Sequence, residues 1–252
     1  MDAGIRLGLV AYGVVHLLIA WLGLQLALGD NEGNADSAGA MRQLAEQPFG
    51  EALTWAVAIG MGILVVWRLL EASAGHRELD GKERWRSRAV SLGKAVVYAG
   101  VGLSALKVAA GAGSSSRGRS TTARLMDLPA GTLLVGLVGV AIIGYGARHV
   151  VRGLTEKFAE HLTGEGRTGE TGAVYLALGK AGYTAKGLSI AAVGSLFLYS
   201  ALSHDPTKSG GLDQALRTVL QQPFGPYLLG AISVGFAAYG LFCFARARHL
   251  ST

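Results

Sequence analysis

The chain has 252 residues, 50% of them hydrophobic and only 16% charged, with 38 glycines, a single cysteine and a formal net charge of +6. A soluble domain carries about 25% charged residues and about 7% glycine, so these figures exclude a disordered chain, a collagen-like repeat and a disulfide scaffold, and they argue against an ordinary soluble enzyme. The positive charge is not a nucleic-acid footprint either, because it divides between the two ends of long apolar blocks.

A bilayer core of about 30 Å needs about 20 apolar residues in a helix rising about 1.5 Å per residue. Six blocks meet or approach that length. The first, Leu7 to Leu28, has His16 and Gln25 as its strongly polar residues. It exceeds the roughly 7–15-residue core of a cleaved signal and opens a repeated unit, so it reads as a span. Met41, Leu44 and Ala45 then recur at helical spacing before the second block, Ala52 to Trp67. The third is the weakest, with Ala95 to Leu106 lying between Lys94 and Lys107. A Gly-Ser run at 113–116 leads to Arg117 and Arg119 and reads as a solvated loop. The fourth block runs from Ala130 to Ala147 and the fifth from Gly187 to Ser203, the latter preceded by an apolar run broken at Lys180 and Lys186. Leu212, Ala215, Leu216, Val219 and Leu220 mark another amphipathic segment, and Pro226 to Ala245 is the sixth block. The blocks lack the period-2 alternation of a membrane barrel, so all six are read as helices.

The unit is repeated. Gln47-Pro48-Phe49-Gly50, Leu128-Pro129-Ala130-Gly131 and Gln222-Pro223-Phe224-Gly225 each precede an even-numbered block, with Leu44, Leu125 and Val219 four residues before the prolines. Proline there is read as sitting in the first helical turn, where its missing N–H costs nothing. Tyr145-Gly146 corresponds to Tyr239-Gly240. In the odd-numbered helices Arg6, Arg88 and Lys180 are followed six and ten residues later by Tyr12 and His16, Lys94 and Tyr98, and Lys186 and Ile190. The fold expected is therefore all-α and polytopic. Six transmembrane helices form three tandem two-helix repeats (4–75, 86–155 and 173–248) with pseudo-threefold symmetry about the membrane normal. Cytoplasmic linkers at 76–85 and 156–172 join them, short interfacial helices occupy the non-cytoplasmic loops, and the whole of 1–252 is one membrane domain.

Gly182-Tyr183-Thr184-Ala185-Lys186-Gly187, with the three proline–glycine turns and the three helix pairs, resembles a bacterial membrane family known as domain of unknown function 1206. The resemblance covers nearly the whole chain. It departs at Tyr12, where the third copy has Lys186, and at Ala95, where the other copies have glycine. It implies an integral membrane architecture of three helix pairs and brings no activity or catalytic residue with it.

Candidate functional residues are few. Gly4 and Gly8, Ala56 and Gly60, and Ala231 and Gly235 have small-xxx-small spacing, read first as packing inside the bundle and second as a contact with a further copy or another membrane protein. Lys94 and Lys186 lie about 9 Å deeper than their aligned cations, and Tyr12, His16 and Tyr98 share their layer. No aspartate or glutamate lies inside any of the six cores, so an anion, a lipid headgroup, backbone carbonyls or water are the partners left for the lysines, unless they snorkel to the interface. A His16–His149 haem is excluded by depth, Glu78, Asp80 and Glu83 read as solvated ion pairs among arginines, and no metal, cofactor or catalytic motif has the required context. The first functional reading is a non-enzymatic scaffold or accessory subunit. The alternative is a protein that binds anionic lipid or translocates a small anion through the lysine layer, and an interfacial enzyme comes last.

Of the 23 Lys and Arg residues, 16 lie at the end that holds both termini and seven at the other. Both termini are therefore expected in the cytoplasm, with the chain in a bacterial inner membrane. In sealed cells a cysteine introduced at Ser209 should react with a membrane-impermeant reagent and one at Ser251 should not; exterior labelling at Ser251 overturns the orientation.

Overall fold

The structure, a computed structural model, describes residues 2–30, 34–46, 48–75, 80–111, 121–162 and 168–249. The Gly-Ser run at 113–116, Arg117, Arg119, Glu78 and linker positions 76–79 and 163–167 lie outside the described residues. Within them the elements are helical and no strand occurs: α1 (Asp2–Ala27), α2 (Ser37–Ala45), α3 (Gly50–Ala74), α4 (Gly81–Ala109), α5 (Thr121–Met126), α6 (Gly131–Leu154), α7 (Gly169–Ser203), α8 (Leu212–Leu220) and α9 (Gly225–Arg248). Six of these are long and apolar enough to cross a membrane: α1, α3, α4, α6, α7 and α9. The order long–short–long recurs three times.

Two spans start earlier than their apolar blocks. α4 begins at Gly81, inside the segment read as a linker, and α7 runs for 35 residues from Gly169. At about 1.5 Å per residue α7 is about 50 Å long, so it projects beyond the hydrocarbon. Hydropathy marks only the part of a helix that lipid surrounds, whereas the backbone continues wherever nothing breaks it.

The turns before α3, α6 and α9 share one geometry. Phe49, Ala130 and Phe224 cap these helices in the left-handed region, at φ of 62°, 59° and 61°. Gly131 N–H donates to Leu128 O and Gly225 N–H to Gln222 O, both at 2.8 Å. Proline therefore occupies the second position of a tight turn, ahead of the cap, and not the first helical turn as its spacing indicated. The following glycine is fixed by space: a Cβ would lie 2.2 Å from Ala45 O at Gly50, 1.9 Å from Leu125 O at Gly131 and 1.9 Å from Leu220 O at Gly225. The short helices fold onto the bundle end. α2 buries Met41 and Leu44 and is capped by Asp36, α8 buries Ala215 and Leu216, and Ala35 N–H donates to Asp213 Oδ1 at 2.9 Å, tying the first repeat to the third.

The most extensive helix crossings join one repeat to the next: α3 to α4, α6 to α7, and α9 back to α1. At two of these the backbones touch. A Cβ on Gly187 would lie 2.6 Å from Gly146 O, one on Gly194 2.8 Å from Gly139 O, and Gly13 and Gly240 would each meet the other's carbonyl at 2.9 Å. Gly8 and Gly235 also face inward, onto Leu64 and Ala185. With lipid on the outside, such close van der Waals approach is what holds helices together. Gly187→Ala should force α6 from α7 and lower stability in detergent by about 1–3 kcal/mol, the usual cost of overpacking. Gly100→Ala, where a Cβ meets nothing within 4 Å, should shift stability by less than about 1 kcal/mol, toward stabilisation; equal losses in thermal unfolding would contradict the crossing.

Candidate functional site: a cationic cavity at the helix ends

α7 lies between α6 and α9, and its glycines Gly182 and Gly187 bring Lys186 into the middle of the bundle. The lysine is 9% exposed. Its Nζ donates to Tyr12 Oη at 2.5 Å and to His16 Nε2 at 3.2 Å. His16 Nδ1 lies 2.8 Å from Tyr12 O. A carbonyl can only accept, so Nδ1 carries the proton and Nε2 keeps the lone pair that accepts from the lysine. Nζ also stands 4.1 Å from the Tyr239 ring centroid and 4.5 Å from that of Tyr12, where the ring quadrupole attracts a cation. The lysine thus has neutral partners, where its depth alone had pointed to an anion, carbonyls, water or the interface. Partners of this kind leave no carboxylate signature in the sequence.

Lys186 and Tyr12 are part of the wall of a cavity of about 70 Å³, to which all six spanning helices contribute. α1 supplies Tyr12, α3 Arg68, α4 Val90, Lys94, Val97 and Tyr98, α6 Tyr145, Arg148, His149 and Arg152, α7 Tyr183 and Lys186, and α9 Tyr239 and Arg246. Six basic side chains and five tyrosines face this space, and among the described residues no aspartate or glutamate lines it. The nearest carboxylate, Glu71, is held by Arg68 Nη1 at 2.5 Å and by Ser91 Oγ at 2.9 Å. It belongs to an adjoining recess of about 410 Å³ that shares Val90, Lys94 and Arg148 with the cavity. Arg68 Nε and Arg246 Nε are buried with no hydrogen-bond partner among the described residues. Behind Tyr183 lies a 3-10 turn at Lys157–His161, its Phe158 stacked on the tyrosine ring at 5.3 Å.

Of the residues singled out by sequence, Tyr12, Lys94, Tyr98 and Lys186 line the cavity, and His16 stands behind it as an acceptor for Lys186. Tyr98 packs edge-on against Tyr12 at 5.2 Å. Ile190 is not in the wall, and the turn residues Pro48, Gly50, Pro129, Gly131, Pro223 and Gly225 begin helices whose other ends carry the cavity. Sequence reasoning missed Arg68, Arg148, His149, Arg152 and Arg246, with Tyr145, Tyr183 and Tyr239. One signal was there to find. Tyr145 and Tyr239 lie 14 residues after their turn glycines and Arg152 and Arg246 lie 21 after, two helical turns further on the same face. In the first repeat that second position is Glu71, and Arg68 one turn earlier pairs with it.

Forked guanidinium groups and ammonium groups around a space that a few water molecules would fill suit a tetrahedral oxyanion. Among the described residues no group of three or more His, Cys, Asp or Glu side chains is placed to hold a metal ion.

The chain belongs to the family described as Domain of Unknown Function (DUF1206), which matches it three times, over residues 7–75, 89–156 and 181–249. Each match takes in one long–short–long unit, and each unit contributes at least one cation to the cavity. The chain is 27% identical over 243 residues to the uncharacterized protein YxxB of Bacillus subtilis (strain 168), covering 96% of this chain and 88% of that protein. No solved structure matches it.

The Lys186 cluster should behave as one unit. Tyr12→Phe and His16→Leu each remove an acceptor from a buried ammonium and should cost about 1–3 kcal/mol of stability in detergent. In a Lys186→Met background the same changes should cost less than half as much, and a double-mutant cycle in thermal unfolding that returned additive losses would dissolve the cluster.

Proposed function

We propose that this protein binds a phosphate-type anionic group in the cavity where its six spanning helices meet, and that it does so as a binding protein and not as an enzyme. One observation carries the reading: six basic side chains converge on a small cavity between the helix ends whose described wall has no carboxylate. A basic residue in a membrane helix costs about 2.5–3.5 kcal/mol on the insertion scale, and like charges gathered together add to that cost. An anion bound among them offsets both, through charge-assisted hydrogen bonds to several donors at once. The scaffold reading accounts for the glycine crossings but gives no reason for six cations to face one another.

Binding is favoured over translocation by what lies beyond Tyr12. Val15, Met61, Leu229 and Phe236 are buried in one apolar cluster there and fill the bundle toward the turn end. Orientation follows the charge distribution: the cavity lies at the end that carries the basic excess, so both termini and the recess beside Glu71 face the cytoplasm of a bacterial inner membrane. Membrane lipids are the expected surroundings, and a second copy or another membrane protein fits the exposed apolar faces.

The experiment uses the purified full chain in detergent. Inorganic phosphate, pyrophosphate and phosphatidylglycerol are added separately, and thermal unfolding and calorimetry are read. At least one of the three should stabilise the protein. Arg246→Gln and the double change Lys94→Met with Lys186→Met should each weaken that binding by roughly ten- to hundredfold, as expected for losing charged hydrogen bonds of about 1.5–3 kcal/mol. Indifference of the native protein to all three, or unchanged affinity in both variants, rejects the reading.

A further inference from the structure

The ring of helices is open at one seam. α1 packs on α3 within the first repeat and α7 on α9 within the third, but in the second repeat α4 and α6 stand apart. The repeat register explains why. Two residues after the aligned cations Arg6, Arg88 and Lys180 come Gly8, Val90 and Gly182. At Gly8 a Cβ would lie 2.4 Å from the Leu64 side chain, and at Gly182 2.6 Å from the Tyr239 backbone. Leu64 and Tyr239 both lie 14 residues after their turn glycines, and the residue at that place in the second repeat is Tyr145. The second repeat carries Val90 where the other two copies carry glycine, and α4 and α6 make no comparable crossing. One turn along, Gly60 approaches Ala11 and Gly235 approaches Ala185; in the second repeat Gly93 takes the place of those alanines and Ala141 that of those glycines, and Gly93 has nothing within 4 Å. Val90 adds side-chain volume at the place where the other two copies close on glycine.

The cavity reaches that seam. Val97 on α4 and Tyr145 on α6 both line the cavity and are 41% and 38% exposed on the outer surface. The flanks beyond them are apolar and exposed, with Val96 on α4 and Leu137 and Val140 on α6. A cationic interior that opens sideways between apolar flanks matches an amphiphile with an anionic head. We infer that the cavity takes the phosphate of an anionic glycerophospholipid that enters laterally through the α4–α6 seam, with its acyl chains lying along the seam. This rests on the anion-binding reading above and commits it to one source of the phosphate, the bilayer.

The test separates the two. Purified full-length protein is exchanged into vesicles of phosphatidylcholine with a minor share of phosphatidylglycerol, and native mass spectrometry reads the lipid retained. The native protein should retain phosphatidylglycerol over phosphatidylcholine by about tenfold relative to their abundance. Gly93→Trp and Ala141→Trp fill the seam from outside the cavity wall; each should reduce that retention about fivefold or more, while binding of inorganic phosphate or pyrophosphate, if the native protein shows it, stays unchanged. A phosphatidylglycerol carrying a photoreactive group in its acyl tail should crosslink to α4 and α6 above the other spans, a readout that needs no variant. Native protein that binds inorganic phosphate but retains no phosphatidylglycerol overturns the lipid inference and leaves the anion site standing. Retention equal to native in both tryptophan variants overturns lateral entry, as do crosslinks spread evenly over all six spans. A dimer that the tryptophan variants convert to monomer would give the seam to a second copy of the chain and overturn it as well.

Discussion

Backbone contact at glycine is the constraint on which the rest of this molecule depends. In water a helix bundle is driven together by burying apolar side chains, but between helices already surrounded by lipid that drive is absent. Contact energy must then come from atoms that approach closely, and Gly146 against Gly187 and Gly13 against Gly240 permit this at the backbone itself. These crossings link successive repeats instead of the two helices within one. With the α3–α4 contact as the third linkage, they set the six spans side by side so that the same end of each reaches one cavity.

The electrostatics follow from that packing. Positively charged residues at helix ends are ordinary in membrane proteins, where they face the cytoplasm and are solvated. Tight crossings bring Arg68, Lys94, Arg148, Arg152, Lys186 and Arg246 around one small space. The chain meets part of the resulting charge with its own groups. Lys186 is held by a hydroxyl, an imidazole lone pair and two ring faces, and Arg68 pairs with Glu71. Other donors, among them Arg246 Nε, are aimed into the bundle without an acceptor among the described residues. Tyrosine is a fitting wall material under these conditions. Its ring attracts a cation, its hydroxyl accepts from one, and it brings no fixed negative charge to compete with an incoming anion.

The six spans, the three repeats, the turn motif and the short helices between spans were legible because each is written locally, as an apolar block, a proline–glycine turn or a helical periodicity. The ends of α4 and α7 were less so, since α4 carries Arg84, Arg86 and Arg88 and α7 carries Lys180 within the helix, and hydropathy reads such residues as an exit from the membrane. A smaller part of the cavity was visible for a related reason. Lys94 and Lys186 stood out because they interrupt apolar sequence, and Tyr12, His16 and Tyr98 because they share the lysines' register. Arg148, Arg152 and Arg246 sit where any cytoplasmic flank would carry a basic residue, so their convergence is a tertiary fact. Nothing in a flank's composition distinguishes an arginine that points outward from one turned toward the axis.

The three copies also differ in what they keep. Each retains the turn, although it holds a non-glycine residue at positive φ, a conformation that costs roughly 1–2 kcal/mol. Phe49 and Phe224 in that position are exposed, so packing of their rings does not repay the strain. What the turn provides is the approach of Gly50, Gly131 and Gly225 to the carbonyls of the preceding short helix, which fixes where each even-numbered span starts and so where its basic end finishes. The seams inside the repeats are not kept in the same way: Gly8 and Gly182 become Val90 in the middle copy. A strictly threefold ring would close all its seams and enclose the cations on every side. With the turns held constant and bulk added at one seam, the convergence of charge is kept while one side of the bundle differs from the other two. The departure from symmetry at this seam thus comes down to a few side-chain volumes, Val90 for glycine foremost, set beside a space that the repeated parts build together.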